Sequence, residues 1–298
     1  MLFDRQKRLL ALLDALGGSV PSLDFQKLLF LYCQEAEETP TYEFVPYRFG
    51  GFSFTSYADK RRLIERDLLG NQEQAWILTE SGKAAAVVSA PVRLSMNRFA
   101  ARHVGLHGDA LVAEAYRRHP YYAIRSEMAD RVLARDAETL ATIAKAQPAA
   151  GRAGLCTIGY EGRSLEGYLN LLIRCGVTLL CDVRRNALSR KYGFSKSTLA
   201  KGCEGVGIRY EHLPELGIAS EDRRGLKTQA DYDALFTDYK CRSLPRLQDA
   251  LATIRSWVKK GERVALTCFE RRPEQCHRQC VAEVLERSFG RTFTPLHL

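Results

Sequence analysis

Apolar positions in the first half of the chain recur with helical spacing. Leu9, Leu10, Leu12, Leu13 and Leu16 share one broad face of residues 4–16. Pro21-Ser22 opens a second helix through about Glu35, with Phe25, Leu28, Leu29 and Tyr32 on its apolar side. A third helix is predicted over 56–69, basic at Lys60, Arg61 and Arg62. A short β-like segment, 75–79, and Ser81-Gly-Lys83 follow, and residues 94–146 read as further helices. The small residues and breakers of 147–154 mark a linker. Beyond it the pattern changes. Apolar runs at 155–159, 177–183, 208–212 and 264–268 read as buried strands. They alternate with helical stretches at 164–175, 195–204, 228–240, 243–260 and 274–288, and 292–298 is a candidate last strand.

This predicts an α/β fold over 151–298, a mostly parallel, Rossmann-like sheet flanked by helices. A helical extension and linker over 91–150 precede it. Three helices followed by a hairpin ending in "LTESGK" resemble a winged helix-turn-helix over residues 1–90. Within it, the 25–32 run and Tyr47-Arg-Phe-Gly-Gly51 are loosely similar to the antitoxin-type domains called Panacea or SocA-like. Such a domain binds DNA or a partner. A helical packing domain with no groove-reading role is the other reading.

The net charge of +9 is uneven. Residues 1–150 carry 19 Lys and Arg against 18 Asp and Glu, whereas 151–298 carry 25 against 17. A basic second half points to a polyanionic partner, DNA foremost, and the near-neutral first half weakens the case for phosphate contacts there. No apolar run approaches the roughly 20 residues that span a bilayer, and the N-terminus leads into an amphipathic helix. A cytoplasmic location with no membrane partner is expected. Nine scattered cysteines, several inside apolar runs, read as reduced and buried. The sequence implies no cofactor and no particular oligomeric state.

Polar clusters follow the apolar strands, where open parallel sheets bind ligands. Gly159-Tyr-Glu-Gly-Arg-Ser164 suits a capped turn or a phosphate at a helix start. Asp182 ends a buried strand, paired with Arg184 or functional. Around it Arg184, Arg185, Arg190 and Lys191 suit phosphates, and Tyr192 and Phe194 suit stacked bases. His212 is either a proton shuttle or a structural histidine. The densest cluster is Cys268, Glu270, Arg271, Arg272, Cys276, His277 and Arg278, with Pro273 at a candidate helix start. Its C-x7-C-H-x2-C spacing matches no common zinc module. On a helix, adjacent Cys276 and His277 would also point about 100° apart. No metal is therefore expected. Glu270 reads as a general acid or base with arginine anion clamps, Cys268 could instead be a nucleophile, and a cysteine-based sulfur or redox enzyme using Cys268 or Cys276 is a third possibility.

Four segments, "TIGYEGRSLEGYLNLL", "DVRRNALSRKYGFSK", "GIRYEHLPELG" and "CFERRPEQCHR", resemble the domain of unknown function 488 family over about residues 154–297. The resemblance implies an α/β domain whose site joins Gly159, Tyr160, Asp182, Arg184, Ser189, Arg190, Phe194, Cys268, Glu270, Cys276, His277 and Arg278. It also implies suspected processing of DNA or nucleotides. The expected activity is a DNA- or nucleotide-processing enzyme, with a metal-independent DNA glycosylase in repair or anti-phage defence as its narrower form. Asp182 and Glu270 would be catalytic. Tyr160, Arg184, Ser189, Arg190, Phe194, Arg271, Arg272, His277 and Arg278 would hold substrate and phosphates. The alternative is a non-enzymatic DNA-binding regulator with an anion- or nucleotide-sensing α/β domain.

Overall fold

The leucine face read from residues 4–16 is buried on α1 (Asp4–Ala15), where Leu9, Leu10, Ala11, Leu12 and Leu13 lose essentially all exposure. The computed structural model describes residues 1–219, 221–289 and 294–298, which divide into two units, Met1–Gln147 and Pro148–Leu298. After α1 the first unit continues with β1 (Ser19–Pro21), α2 (Ser22–Glu35), β2 (Val45–Tyr47) and β3 (Gly50–Phe52). Then come α3 (Phe54–Ile64), β4 (Ala75–Ile77), α4 (Glu80–Ala85), α5 (Ala90–His103), α6 (Gly108–Arg118), α7 (Ala129–Val132) and α8 (Ala137–Ala146). Ser53 caps α3, its hydroxyl accepting from Ser56 N.

Every residue of α2 from Asp24 to Cys33 is buried, so a one-sided partner could not cover it. Residues of α5 and α6, expected as a separate extension, supply the rest: Met96, Phe99, Leu111, Val112 and Tyr116 share one core with Leu9, Phe25 and Phe30. β4 pairs antiparallel with β1, and an antiparallel bridge between Leu69 and Leu78 links the segment before β4 to the residue after it. Thr79 then accepts from Gly82 N at 2.9 Å, so Glu80 to Lys83 of "LTESGK" begin a helix.

The second unit comprises β5 (Gly154–Gly159), α9 (Leu165–Arg174), β6 (Leu179–Asp182), α10 (Lys196–Gly205) and β7 (Arg209–His212). α11 (Gln229–Asp238), α12 (Gln248–Lys259), β8 (Arg263–Cys268), α13 (His277–Ser288) and β9 (Leu296–His297) complete it. The strands form one parallel sheet in the order β7-β6-β8-β5-β9, with helices on both sides as the alternating pattern predicts. β9 realises part of the expected last strand; residues 292 and 293 lie outside the described residues.

Alternation and register sort the side chains by face. Leu155, Cys181, Val264 and Leu266 share one core with Leu251 and Ile254 of α12 and Val281 and Leu285 of α13. The register pairs Gly159 with Cys268, two residues beyond Leu266, so Cys268 faces α13 as well. Asp182 pairs with Thr267 and therefore points to the other face, where Tyr168 of α9 donates to Thr267 Oγ1 at 2.8 Å.

Candidate active site

The carboxyl ends of β5, β6 and β8 gather most of the residues singled out in the sequence, but divide them into two clusters on opposite faces of the sheet. The first surrounds Asp182, which has 0% exposure. Arg184 Nε lies 2.8 Å from Oδ1, its Nη2 donates to Oδ2, and Tyr210 Oη donates to Oδ2 at 2.7 Å. Arg184 Nη1 reaches Tyr160 Oη and Phe194 O, both at 2.9 Å. The Tyr160 and Phe194 rings stack on each other at 4.4 Å and 8°, with Tyr168 edge-on to Phe194. Burial opposes the charge on Arg184, but the Asp182 carboxylate outweighs it and raises the guanidinium's pKa. Burial and the neighbouring carboxylate raise Tyr210 as well.

This geometry changes several expectations. Arg184 is 5% exposed and donates to protein acceptors, so it is an internal strut and not a surface phosphate clamp. Phe194, fully buried, and Tyr160, at 3% exposure, spend their ring faces on each other and present none to a base. Ser189 Oγ accepts from Lys191 N inside its own turn. Arg278 is also fully buried. It donates to Glu270 O, to Arg271 O at 3.0 Å and to Thr157 Oγ1 at 3.4 Å, so it anchors the 270–271 loop. Arg190, Arg271 and Arg272 remain exposed at the rim.

The second cluster lies on the α13 face. The helix predicted from residue 274 begins three residues later. Pro273–Gln275 forms a short 3-10 turn, and Cys276 is extended (φ −138°, ψ 132°) as the N-cap of α13. Cys276 is therefore off the helix, and the roughly 100° divergence from His277 does not apply. Donor atoms of Cys268, Cys276 and His277 lie within 4.8 Å of one another, all buried. His277 Nδ1 is 3.8 Å from Cys268 Sγ, and its Nε2 is 2.9 Å from the Val183 carbonyl. Since a carbonyl only accepts, Nε2 carries the hydrogen and Nδ1 faces the sulfur. Glu270 Oε2 lies 3.3 Å from Cys268 Sγ, and Arg223 Nη2 donates to Glu270 Oε1.

The Cys276 contact and the positive charge of His277 hold the Cys268 thiol well below its ordinary pKa, against the effect of burial. Burial raises Cys276. At His277 burial works downward, and the Cys268 charge reverses it to a net rise. Burial, and next the Cys268 charge, push Glu270 up, opposed by Arg223. The pairing of Arg223 with Glu270 spans 47 positions and had no signature in the sequence. Phe269 was also missed: it is 44% exposed beside Glu270, with its ring edge-on to Tyr160 at 5.4 Å. His212 is tied to the Arg184 carbonyl at 2.8 Å, as the structural reading expects.

A cleft of about 640 Å³ adjoins the second cluster, lined among others by Arg185, Glu215, Tyr239, Arg242 and Arg246. Cys268, Glu270 and His277 do not line it. Tyr239 connects the two, its ring edge-on to His277 at 6.1 Å between centroids. Among the described residues no helix is long and apolar enough to cross a membrane.

No curated protein and no solved structure matches the chain. Residues 164–285, from the start of α9 to near the end of α13, match the domain of unknown function DUF488, a span that includes Asp182, Arg184, Cys268, Glu270, Cys276 and His277.

Proposed function

We propose that the second unit is a DNA- or nucleotide-processing hydrolase with Glu270 as its reacting carboxylate. One observation carries this reading: Glu270 stands at the carboxyl end of the central strand β8, fixed by Arg223 and flanked by the exposed Phe269, Arg271 and Arg272. A carboxylate so placed can direct water onto, or protonate, a bond held at the sheet edge. Arg190, Arg271 and Arg272 supply phosphate contacts, and the adjoining cleft adds Arg185, Arg242 and Arg246. Phe269 is the ring free to stack on a base, in place of Tyr160 and Phe194.

Asp182 takes a positioning role in this scheme. Its carboxylate holds Arg184, which braces Tyr160 and the 194 carbonyl beneath the site. Base removal, in repair or anti-phage defence, is the narrower form of the proposal, because it needs one well-placed carboxylate and a stacking ring.

The test uses end-labelled single- and double-stranded DNA, normal and base-modified, resolved on gels before and after hot alkali. Breaks that appear only after alkali, and disappear in Glu270→Gln, are the expected result for base removal. Direct breaks that also need Glu270 would support phosphoester hydrolysis instead. Salt-sensitive binding without any break would oppose an enzyme and favour the regulator.

A further inference from the structure

The buried cysteines and histidine of the second cluster have the chemistry and spacing of a metal site, against the expectation drawn from their sequence spacing. A tetrahedral zinc ion has bonds of about 2.3 Å to sulfur and about 2.0–2.1 Å to nitrogen, which gives edges of roughly 3.5–3.8 Å between ligand atoms. Cys268 Sγ and His277 Nδ1 are separated by 3.8 Å, and all three donor atoms fall within 4.8 Å of one another. The Val183 carbonyl accepts from His277 Nε2 at 2.9 Å, and this second contact fixes the ring tautomer as partners of metal-bound histidines do. The ligands come from rigid places: the last residue of β8, the N-cap of α13 and its first residue. Two sulfurs and one imidazole suit zinc and disfavour magnesium or calcium.

We propose that Cys268, Cys276 and His277 bind one zinc-class ion, with the fourth position open toward Glu270. Glu270 Oε2, 3.3 Å from Cys268 Sγ, lies beside that position without being needed as a ligand. Glu270 and Arg223 neutralise each other, so the two thiolates are balanced by the divalent ion. Three protein ligands with one open corner is the arrangement of catalytic zinc, in which a bound water occupies the fourth place. The inference shares Glu270 with the proposed activity, but metal content is measured without substrate, so either can fail alone.

The full chain, purified under reducing conditions, is assayed for zinc by plasma mass spectrometry, and the metal-stripped protein is titrated with cobalt(II). We expect about one ion per chain, and a cobalt spectrum with intense thiolate-to-metal absorption and visible bands of a tetrahedral site. Cys268→Ser and Cys276→Ser should each lose the ion with helical circular dichroism retained. Glu270→Gln and Cys241→Ser, the latter altering an exposed cysteine outside the cluster, should keep it. The wild-type titration stands even where a variant misfolds. Failure of the wild type to take up zinc or cobalt, with Cys268 and Cys276 free to react or joined as a disulfide, would overturn the site. So would full zinc retention in the Cys268→Ser, Cys276→Ser double variant. Loss of zinc from folded Glu270→Gln would overturn the open fourth position.

Discussion

Asp182 ends β6 and Glu270 follows the end of the neighbouring β8 by two residues, and their surroundings differ. Asp182 is sealed among Arg184 and Tyr210, an ion pair taken wholly out of water. Removing one partner of such a pair leaves an uncompensated buried charge. Asp182→Asn should therefore destabilise the second unit by about 3–5 kcal/mol, measured by denaturant unfolding of the full chain. A variant that is inactive but as stable as the wild type would instead make Asp182 a catalytic group. The Asp182–Arg184 pair is only one of two readings the sequence allows, because an acid ending an apolar strand must be either paired or functional, and the sequence favours the functional one. Glu270 and Arg223 were not legible as a pair, since nothing local links positions 47 apart.

At the scale of elements, the second unit could be read from its pattern because its central strands are continuous apolar runs and α9 and α12 are strongly one-sided. The division of the site into two faces could not, because it depends on the register that puts Asp182 beside Thr267 and Cys268 beside Gly159. The start of α13 was misjudged since Pro273 opens a 3-10 turn before the helix. In the first unit, strands of three residues fall below any period-2 signal, which hid the pairing of β1 with β4. The end of β5 passes close to the 270–271 loop: a Cβ on Gly159 would lie 1.9 Å from Glu270 O. Gly159→Ala should cost about 1–3 kcal/mol or more and displace Glu270, lowering activity as well as melting temperature. An unchanged melting temperature would argue against that close packing.

Lys27 of α2 is 1% exposed, and its Nζ donates to Gly51 O at 3.1 Å. Burial lowers its pKa to about 7 from 10.5. Between those values the unfolded chain binds the extra proton, so stability of the first unit should rise with pH by about 1.4 kcal/mol per unit. The penalty is fully present below the folded value. Denaturant unfolding at pH 7.5 and 9.5 checks this, and Lys27→Met should flatten the difference.

For the whole molecule, the first unit is near-neutral and the second is basic. Polyanion binding by the full chain should weaken steeply with salt, and charge reversal at Arg271 and Arg272 should reduce that salt dependence. Charge reversal at Arg61 and Arg62 of α3 should leave it nearly unchanged. Equal effects at both places would mean that both units contact the phosphates.

Whether Glu270 carries the reaction at the carboxyl ends of the strands is decided by pairing two measurements on one DNA substrate. Equilibrium binding and single-turnover bond breaking are compared for the wild type and Glu270→Gln. Binding should stay within about twofold while the rate falls by about 10²–10⁴-fold, the usual worth of a general acid or base. A Glu270→Gln protein that binds and cleaves like the wild type would contradict that role.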